Sequence, residues 1–208
     1  MSQAAAEERR RITYSEFCDL PLKDDRRYEL IDGQIFADGQ PVDLEEVLNR
    51  KPVFAMNQGS PRHARLAASL IIRLEMALGG RCHVLGPVGV YCEAMATAYA
   101  PDVVVVCEIP QLDPVRGRAI VNPRAIFEVL SSNTERIDKG TKLHHYRTLE
   151  SLQEYVLVSQ NERLVQIYRR GPDGWLWQNV SAGGFEVCGA TISIEDIYAG
   201  IDAMPVVS

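Results

Sequence analysis

AIFEVLSSNT, residues 125–134, sets a glutamate in the middle of what otherwise reads as a buried strand. Ala125, Ile126, Phe127, Val129 and Leu130 form a nearly unbroken apolar run that ends in a Ser/Asn/Thr cluster. Short runs of this kind belong to strands covered on both faces, the centre of a sheet with helices above and below. Glu128 is out of place there, because taking a carboxylate out of water is expensive unless a partner compensates its charge. The fold around this strand has to supply that partner.

Moving outward, APDVVVV (100–106) repeats the pattern, with Asp102 at the head of a second doubly buried run. YELIDGQI (28–35) alternates around an Asp-Gly pair, a strong hairpin signal, and Glu29 interrupts its first strand. SPRHARLAASLIIRLEMALGG (60–80) is the clearest helix, with Ser60 as N-cap, Pro61 at the first helical position and Gly79-Gly80 as the stop. Its expected core stripe is Ala67, Ile71, Leu74 and Leu78, with His63 one turn earlier on the same face.

TYSEFCDLPL (13–22) reads as a short amphipathic helix capped by Thr13 or Ser15, and the polar stretch 38–51 as an insertion with room for one helical turn. CHVLGPVGVYCE (82–93) and AYAPDVVVVCE (98–108) read as strands. A helix within 138–150 leads to EYVLVS, LVQIYRR and WLWQNV, successive antiparallel strands turning at QNE and GPDG, and TISIEDIY closes the chain. The order predicts an α/β (α+β) fold, a central mixed sheet flanked by helices with a C-terminal antiparallel extension. Residues 1–11 read as a disordered N-terminal tail and residues 12–208 as one domain.

The composition, 46% apolar and 24% charged over 208 residues, is that of a folded protein rather than a disordered chain. No window approaches the ~18 consecutive apolar residues of a membrane span, and the N-terminus lacks the apolar core of a signal peptide, so a cytoplasmic protein without membrane contact is expected. The five cysteines are an odd number, scattered and never in a CxxC pair. They read as incidental small apolar side chains rather than a disulfide framework or zinc site. A net charge of −6 repels nucleic acid as a whole, so DNA binding would need a local basic surface, a metal that neutralises carboxylates, or a basic partner subunit.

Paired carboxylates on adjacent strands suit a hard divalent cation, which takes oxygen ligands and usually keeps several waters. Asp102 and Glu128 are such a pair, with Glu29 a third acid in a similar setting. The plainer reading is a strand carboxylate that pairs with an arginine or caps a loop. Asp138, Lys142 and Tyr146 would share one helix face at i, i+4, i+8, from which Lys142 could reach back to the strand. Here too a plainer reading stands, an Asp138–Lys142 pair on the helix surface. His63 is read either as a pocket residue or as a hydrogen-bonded core histidine. Trp175 and Trp177, at period two, read as cover for a sheet face, with base stacking the alternative.

The segments YELIDGQI, SPRHARL, APDVVVV and, most specifically, FEVLSSNTERIDKGTKLHHYRTLESLQEYVLVS together resemble the Uma-two family of restriction-endonuclease-like proteins, part of the PD-(D/E)XK nuclease superfamily, over residues 12 to 200. The resemblance implies a central mixed sheet between helices and a Mg²⁺- or Mn²⁺-dependent endodeoxyribonuclease. Asp102 and Glu128 would be the metal-binding acids, with the Val129 backbone carbonyl a further ligand and Glu29 an accessory acid. The superfamily's glutamate-x-lysine would place lysine at 130, where this chain has Leu130, so Lys142 becomes the migrated lysine and Lys139 its weaker rival. The alternative is an inactive nuclease-fold module with a binding or regulatory role. DNA and a divalent cation are the implied partners, and a homodimer is expected by analogy, since cutting both strands of a duplex suits two-fold symmetry.

Overall fold

The structure, a computed structural model, describes residues 10–22, 24, 26–49, 60–131 and 135–204. The expected tail lies outside these residues except for Arg10 and Arg11, and Arg10 pairs with Glu16 at 2.8 Å. Of the two candidate caps, Thr13 is the one used: it starts α1 (Tyr14–Cys18) in a complete capping box with Glu16. Asp32 and Gly33, both at positive φ, turn β1 (Tyr28–Ile31) into β2 (Gln34–Ala37), and Asp38-Gly39 repeats the device to add β3 (Gln40–Val42). Two successive positive φ values are what the tight hairpin turn demands, and Asp-Gly tolerates them. The insertion continues into α2 (Leu44–Asn49).

Ser60 accepts from the His63 N–H at the start of α3 (Pro61–Leu78), and Gly79 ends it in the left-handed region. The buried stripe is Leu66, Ser69, Leu70, Leu74 and Leu78, with Ala67 and Ile71 at its margin. The helix is thus rotated from the expected stripe, because turning Leu66 and Leu70 inward removes more apolar surface from water than burying Ala67.

Two expected strands each divide. Gly86-Pro87 separates β4 (His83–Leu85) from β5 (Val90–Cys92), and Pro101 separates β6 (Thr97–Tyr99) from β7 (Val103–Val106). Proline cannot donate to a ladder, so the halves are free to join different sheets. After β8 (Ala125–Leu130) comes a helical segment built from α4 (Glu135–Ile137), a π-helical turn (Asp138–Lys142) and α5 (Leu143–Tyr146). The Ser131 carbonyl accepts from the Glu135 N–H, while the rest of the Ser/Asn/Thr cluster, residues 132–134, lies outside the described residues. Then follow β9 (Glu154–Ser159), β10 (Val165–Gly171), β11 (Gly174–Val180), β12 (Gly184–Val187), β13 (Ala190–Ser193) and α6 (Ile194–Ile197).

The central sheet is mixed, as expected, in the order β11-β10-β9-β8-β7-β4. Only its β8–β9 pair is parallel, with the interrupted helix as the crossover between them. From the divided strands, β5 and β6 join the hairpin strands in a second, antiparallel sheet, β3-β2-β1-β6-β5, and β12–β13 form a small third one. Both faces of the central strands are covered. Val103, Val105, Phe127 and Val129 pack with the α3 leucines, while Val104, Val106, Ile126 and Leu130 pack with Tyr99, Leu143 and Tyr146. Among the described residues, no helix is long and apolar enough to cross a membrane.

The cysteine expectation needs correction. Cys82 and Cys107 continue the β4–β7 register, His83↔Val106, by one residue and are joined by a disulfide. Their spacing carried no signal because strand register, not sequence separation, makes them neighbours. Cys18, Cys92 and Cys188 remain free thiols.

Candidate active site

The β7–β8 register, Val103↔Phe127, sets Asp102, the residue before β7, across from Glu128. Glu29 arrives through the second sheet: β1 pairs with β6 at Leu30↔Ala98, and the Glu29 Oε1 accepts from the Ala100 N–H at 3.2 Å. Pro101 is therefore the joint of the site. It lets one stretch of chain place Tyr99 in one sheet and Asp102 beside the other, and so draws Glu29 toward Glu128.

Lys142 is the centre of the cluster. Its Nζ lies 2.9 Å from Glu29, 3.0 Å from Glu128 and 3.1 Å from Asp138, with its side chain only 3% exposed. The π turn holds it there, a departure from α-helical geometry often found at functional sites. The buried Tyr155 hydroxyl donates to the Asp138 carbonyl inside that turn at 3.1 Å, and the Tyr146 hydroxyl donates to Glu128 at 3.3 Å. Lys139, by contrast, is 37% exposed and pairs with Glu135 on the outer face. Of the two lysines, Lys142 enters the site and Lys139 does not.

Asp102 forms the other half. Its Oδ1 accepts from Arg27 at 2.7 Å, and its Oδ2 accepts from the Val129 N–H at 2.7 Å and lies 3.2 Å from the His63 Nε2. His63 is therefore the first-turn residue by which α3 reaches the acid. Val129 takes part through its N–H, which orients Asp102.

The charges are strongly interdependent. Burial, reinforced by Asp138, Asp102 and Glu29, outweighs Lys142 and pushes the Glu128 carboxyl up to about 8. For Asp102 burial also opposes ionisation, but His63, Arg27 and the Val129 N–H outweigh it and hold the carboxyl down to about 2. Burial disfavours the Lys142 ammonium, yet the carboxylates around it keep it protonated well above the usual lysine range. Arg27 is likewise desolvated, and the charges of Asp102, Glu128 and Glu29 together raise its pKa, which ties both halves into one cluster.

Among the described residues, no group of three or more histidine, cysteine or acid side chains stands in metal-binding geometry. Protein cations stand beside the acids instead, Lys142 beside Glu29, Glu128 and Asp138, and Arg27 beside Asp102. The donor chemistry still fits a hard divalent ion, since magnesium is commonly held by one or two carboxylates and completes its shell with water. Asp102 and Glu128 are the residues that would hold it.

Three participants escaped the sequence reading. Arg27 lies two residues before Glu29, and the period of a strand, extended one residue beyond β1, would have placed both on one face. Tyr99 sets its ring 5.4 Å from the Lys142 Nζ, and its hydroxyl shares a 2.6 Å hydrogen bond with the Nδ1 of His145. The His145 Nε2 lies 3.6 Å from Asp32 at the hairpin turn. Nothing in the spacing of Tyr99 and His145 signals this contact.

The crystal structure of a "putative nuclease belonging to DUF820" from Anabaena variabilis superposes with a TM-score of 0.66 at 17% identity, covering 91% of this chain and 99% of that one, which shows the nuclease-like fold. The uncharacterised protein slr1290 of Synechocystis sp. is 27% identical over 92% of this chain and 93% of its own length. A second Synechocystis protein, sll1609, is 30% identical over 62% of this chain and 74% of its own. The Uma2 family, described as "Putative restriction endonuclease", matches residues 14–202, and the chain belongs to that family.

Proposed function

We propose that this protein is a Mg²⁺- or Mn²⁺-dependent endonuclease that hydrolyses phosphodiester bonds in DNA at the Asp102–Glu128 cluster. The observation that carries the reading is that Lys142 pairs with the buried Glu128, while the buried Asp102 stands across from Glu128 in the β7–β8 register. Buried ion pairs contribute little net stability compared with apolar residues of the same volume. Four buried acids held by a lysine, an arginine and a histidine are therefore better explained by chemistry than by folding.

Asp102 and Glu128 would hold the ion, with the Val129 carbonyl as a further ligand. Once bound, the ion would supply charge stabilisation for the phosphoryl oxygens and a more acidic water. The protein's own groups divide the remaining work. Arg27, partly exposed at 34% beside Asp102, would receive a phosphate, for which a guanidinium fork is well shaped. His63 and the Val129 N–H fix the rotamer of Asp102. Lys142 acts electrostatically on Glu128 and is itself fixed by Glu29 and Asp138.

The reading of an inactive nuclease-fold module has two observations in its favour. The Lys142 ammonium has three N–H donors and three carboxylates around it, and Leu130 stands where the superfamily keeps a lysine. Incubation of the purified protein with supercoiled plasmid and Mg²⁺ or Mn²⁺ separates the two, beside Asp102→Ala and Glu128→Ala. The nuclease reading expects nicking or linearisation that both variants lose. Equal, negligible cleavage by all three, with no metal binding by calorimetry, would support the inactive module.

A further inference from the structure

Of the four outer strands of the two large sheets, three are blunted against further pairing. β3 is three residues long and contains Pro41. β4 is also three residues long and is tied to β7 by the flanking disulfide. β5 is equally short, and Ile120 bridges its outer side. β11 has none of these protections. It runs seven residues, pairs along its whole length with β10 and, among the described residues, pairs with nothing on its other side. Its sequence, GWLWQNV, has no charge and no proline, and Leu176 and Trp177 are 66% and 58% exposed. A long, neutral, apolar edge is what soluble proteins ordinarily avoid unless it is used.

The ladder shows which groups face outward. The Arg170 N–H donates to Gln153 at 2.8 Å, on the β9 side, so Arg170 and its partner Trp175 form a non-hydrogen-bonded pair in the β10–β11 ladder. By the alternation of antiparallel pairing, Trp175, Trp177 and Asn179 direct their N–H and C=O groups to the open edge. The guanidinium groups of Arg147 and Arg170 lie 5.5 Å and 4.8 Å from the Trp175 ring and brace the strand from its inner face.

We infer that β11 is the edge at which a second copy of this chain pairs, antiparallel about a two-fold axis near Trp177, joining two six-stranded sheets into one. Charge identifies the occupant. In a two-fold pairing any charge near the axis meets its own copy, and this strand has none although 24% of the chain's residues are charged. Gln178 and Asn179 each carry both a donor and an acceptor, so they too can face their own kind. A partner of different sequence would place no such demand for neutrality.

Sedimentation equilibrium of the full chain, from nanomolar to high-micromolar concentration, tests the inference independently of any nuclease activity. Wild type is expected to be dimeric at the upper end. Trp177→Pro removes an outward N–H and none of the bonds to β10, the edge position at which a strand tolerates proline. Trp177→Lys sets like charges across the axis. Each variant is expected to weaken dimerisation at least about tenfold while keeping the far-UV circular dichroism of wild type. If the proline variant does not fold, the lysine variant carries the test alone. A wild type that stays monomeric throughout, or folded variants that dimerise as tightly as wild type, would overturn the inference.

Discussion

Replacing Lys142 with methionine keeps roughly the volume of the side chain and removes its charge together with its N–H donors. Three acids then remain, each within about 3 Å of the vacated ammonium position and nearly inaccessible to water. Deleting one partner of a buried ion pair typically costs ~3–5 kcal/mol, because the partners left behind stay buried without compensation. For a chain of this size each kcal/mol moves Tm by roughly 2–4 °C, so the expected loss is roughly 6–20 °C. Differential scanning calorimetry at neutral pH measures it. Two further variants make the argument specific. Glu128→Gln in the methionine background should recover part of the loss, with a coupling of at least ~0.5 kcal/mol in the double-mutant cycle, since it removes one of the repelling acids. Millimolar Ca²⁺ or Mg²⁺ should raise the Tm of Lys142→Met more than that of wild type, by filling the vacated place with another cation. A Lys142→Met protein that melts within about 2 °C of wild type, or one with no coupling to Glu128, would refute the account of the cluster.

Other consequences follow from the same groups and from the loops. Glu128 has a folded pKa of about 8 against an ordinary 4.5, so its contribution is fully present below pH 4.5 and is lost as pH rises to about 8; urea denaturation across that window should show a slope that Glu128→Gln flattens. Asp102 has the opposite sign: with its pKa held down to about 2, its contribution is present above pH 4 and disappears as the acid is protonated toward pH 2, and Asp102→Asn should lose that acid limb. Asp113 accepts hydrogen bonds from the N–H groups of Val115, Arg116, Arg118 and Ala119 and from the Tyr14 hydroxyl, so Asp113→Ala should cost about 3 kcal/mol or more by urea denaturation, and Tyr14→Phe about half as much. Reduction of Cys82–Cys107, which closes a loop over a separation of 25 residues, should lower stability by roughly 3 kcal/mol, measured as a shift in denaturation midpoint between oxidised and reduced samples.

The parts of the molecule legible in its sequence are those fixed by local pattern. The apolar runs of β7 and β8, the capped and glycine-terminated α3, the Asp-Gly hairpin and the antiparallel run from β9 to β11 all follow from periodicity and turn chemistry. Charged residues placed where apolar ones belong pointed to Asp102, Glu128 and Glu29, and helical spacing added Asp138 and Lys142. What escaped depends on pairing between distant segments. The division of two strands between two sheets was written at Pro101 and Gly86-Pro87, but where each half goes is decided by its partners. The disulfide is a matter of register, and Tyr99 meets His145 only because β6 and the crossover helix pack together. Arg27 is an intermediate case, since its alternation with Glu29 was readable once the strand was extended by one residue.

The π turn at Asp138–Lys142 separates the length of the helix from the direction it faces. A π turn takes up one residue more than an α turn, so a residue can enter or leave there while the helix beyond it stays nearly in phase. Gly140 contributes no side chain to the cluster, and a chain without it would close the turn to α geometry and still set its lysine and tyrosine toward Glu128. A one-residue gap in a regular α-helical stretch would instead turn them away by about 100°. A comparison of relatives that locates this lysine by residue count alone would therefore misplace it.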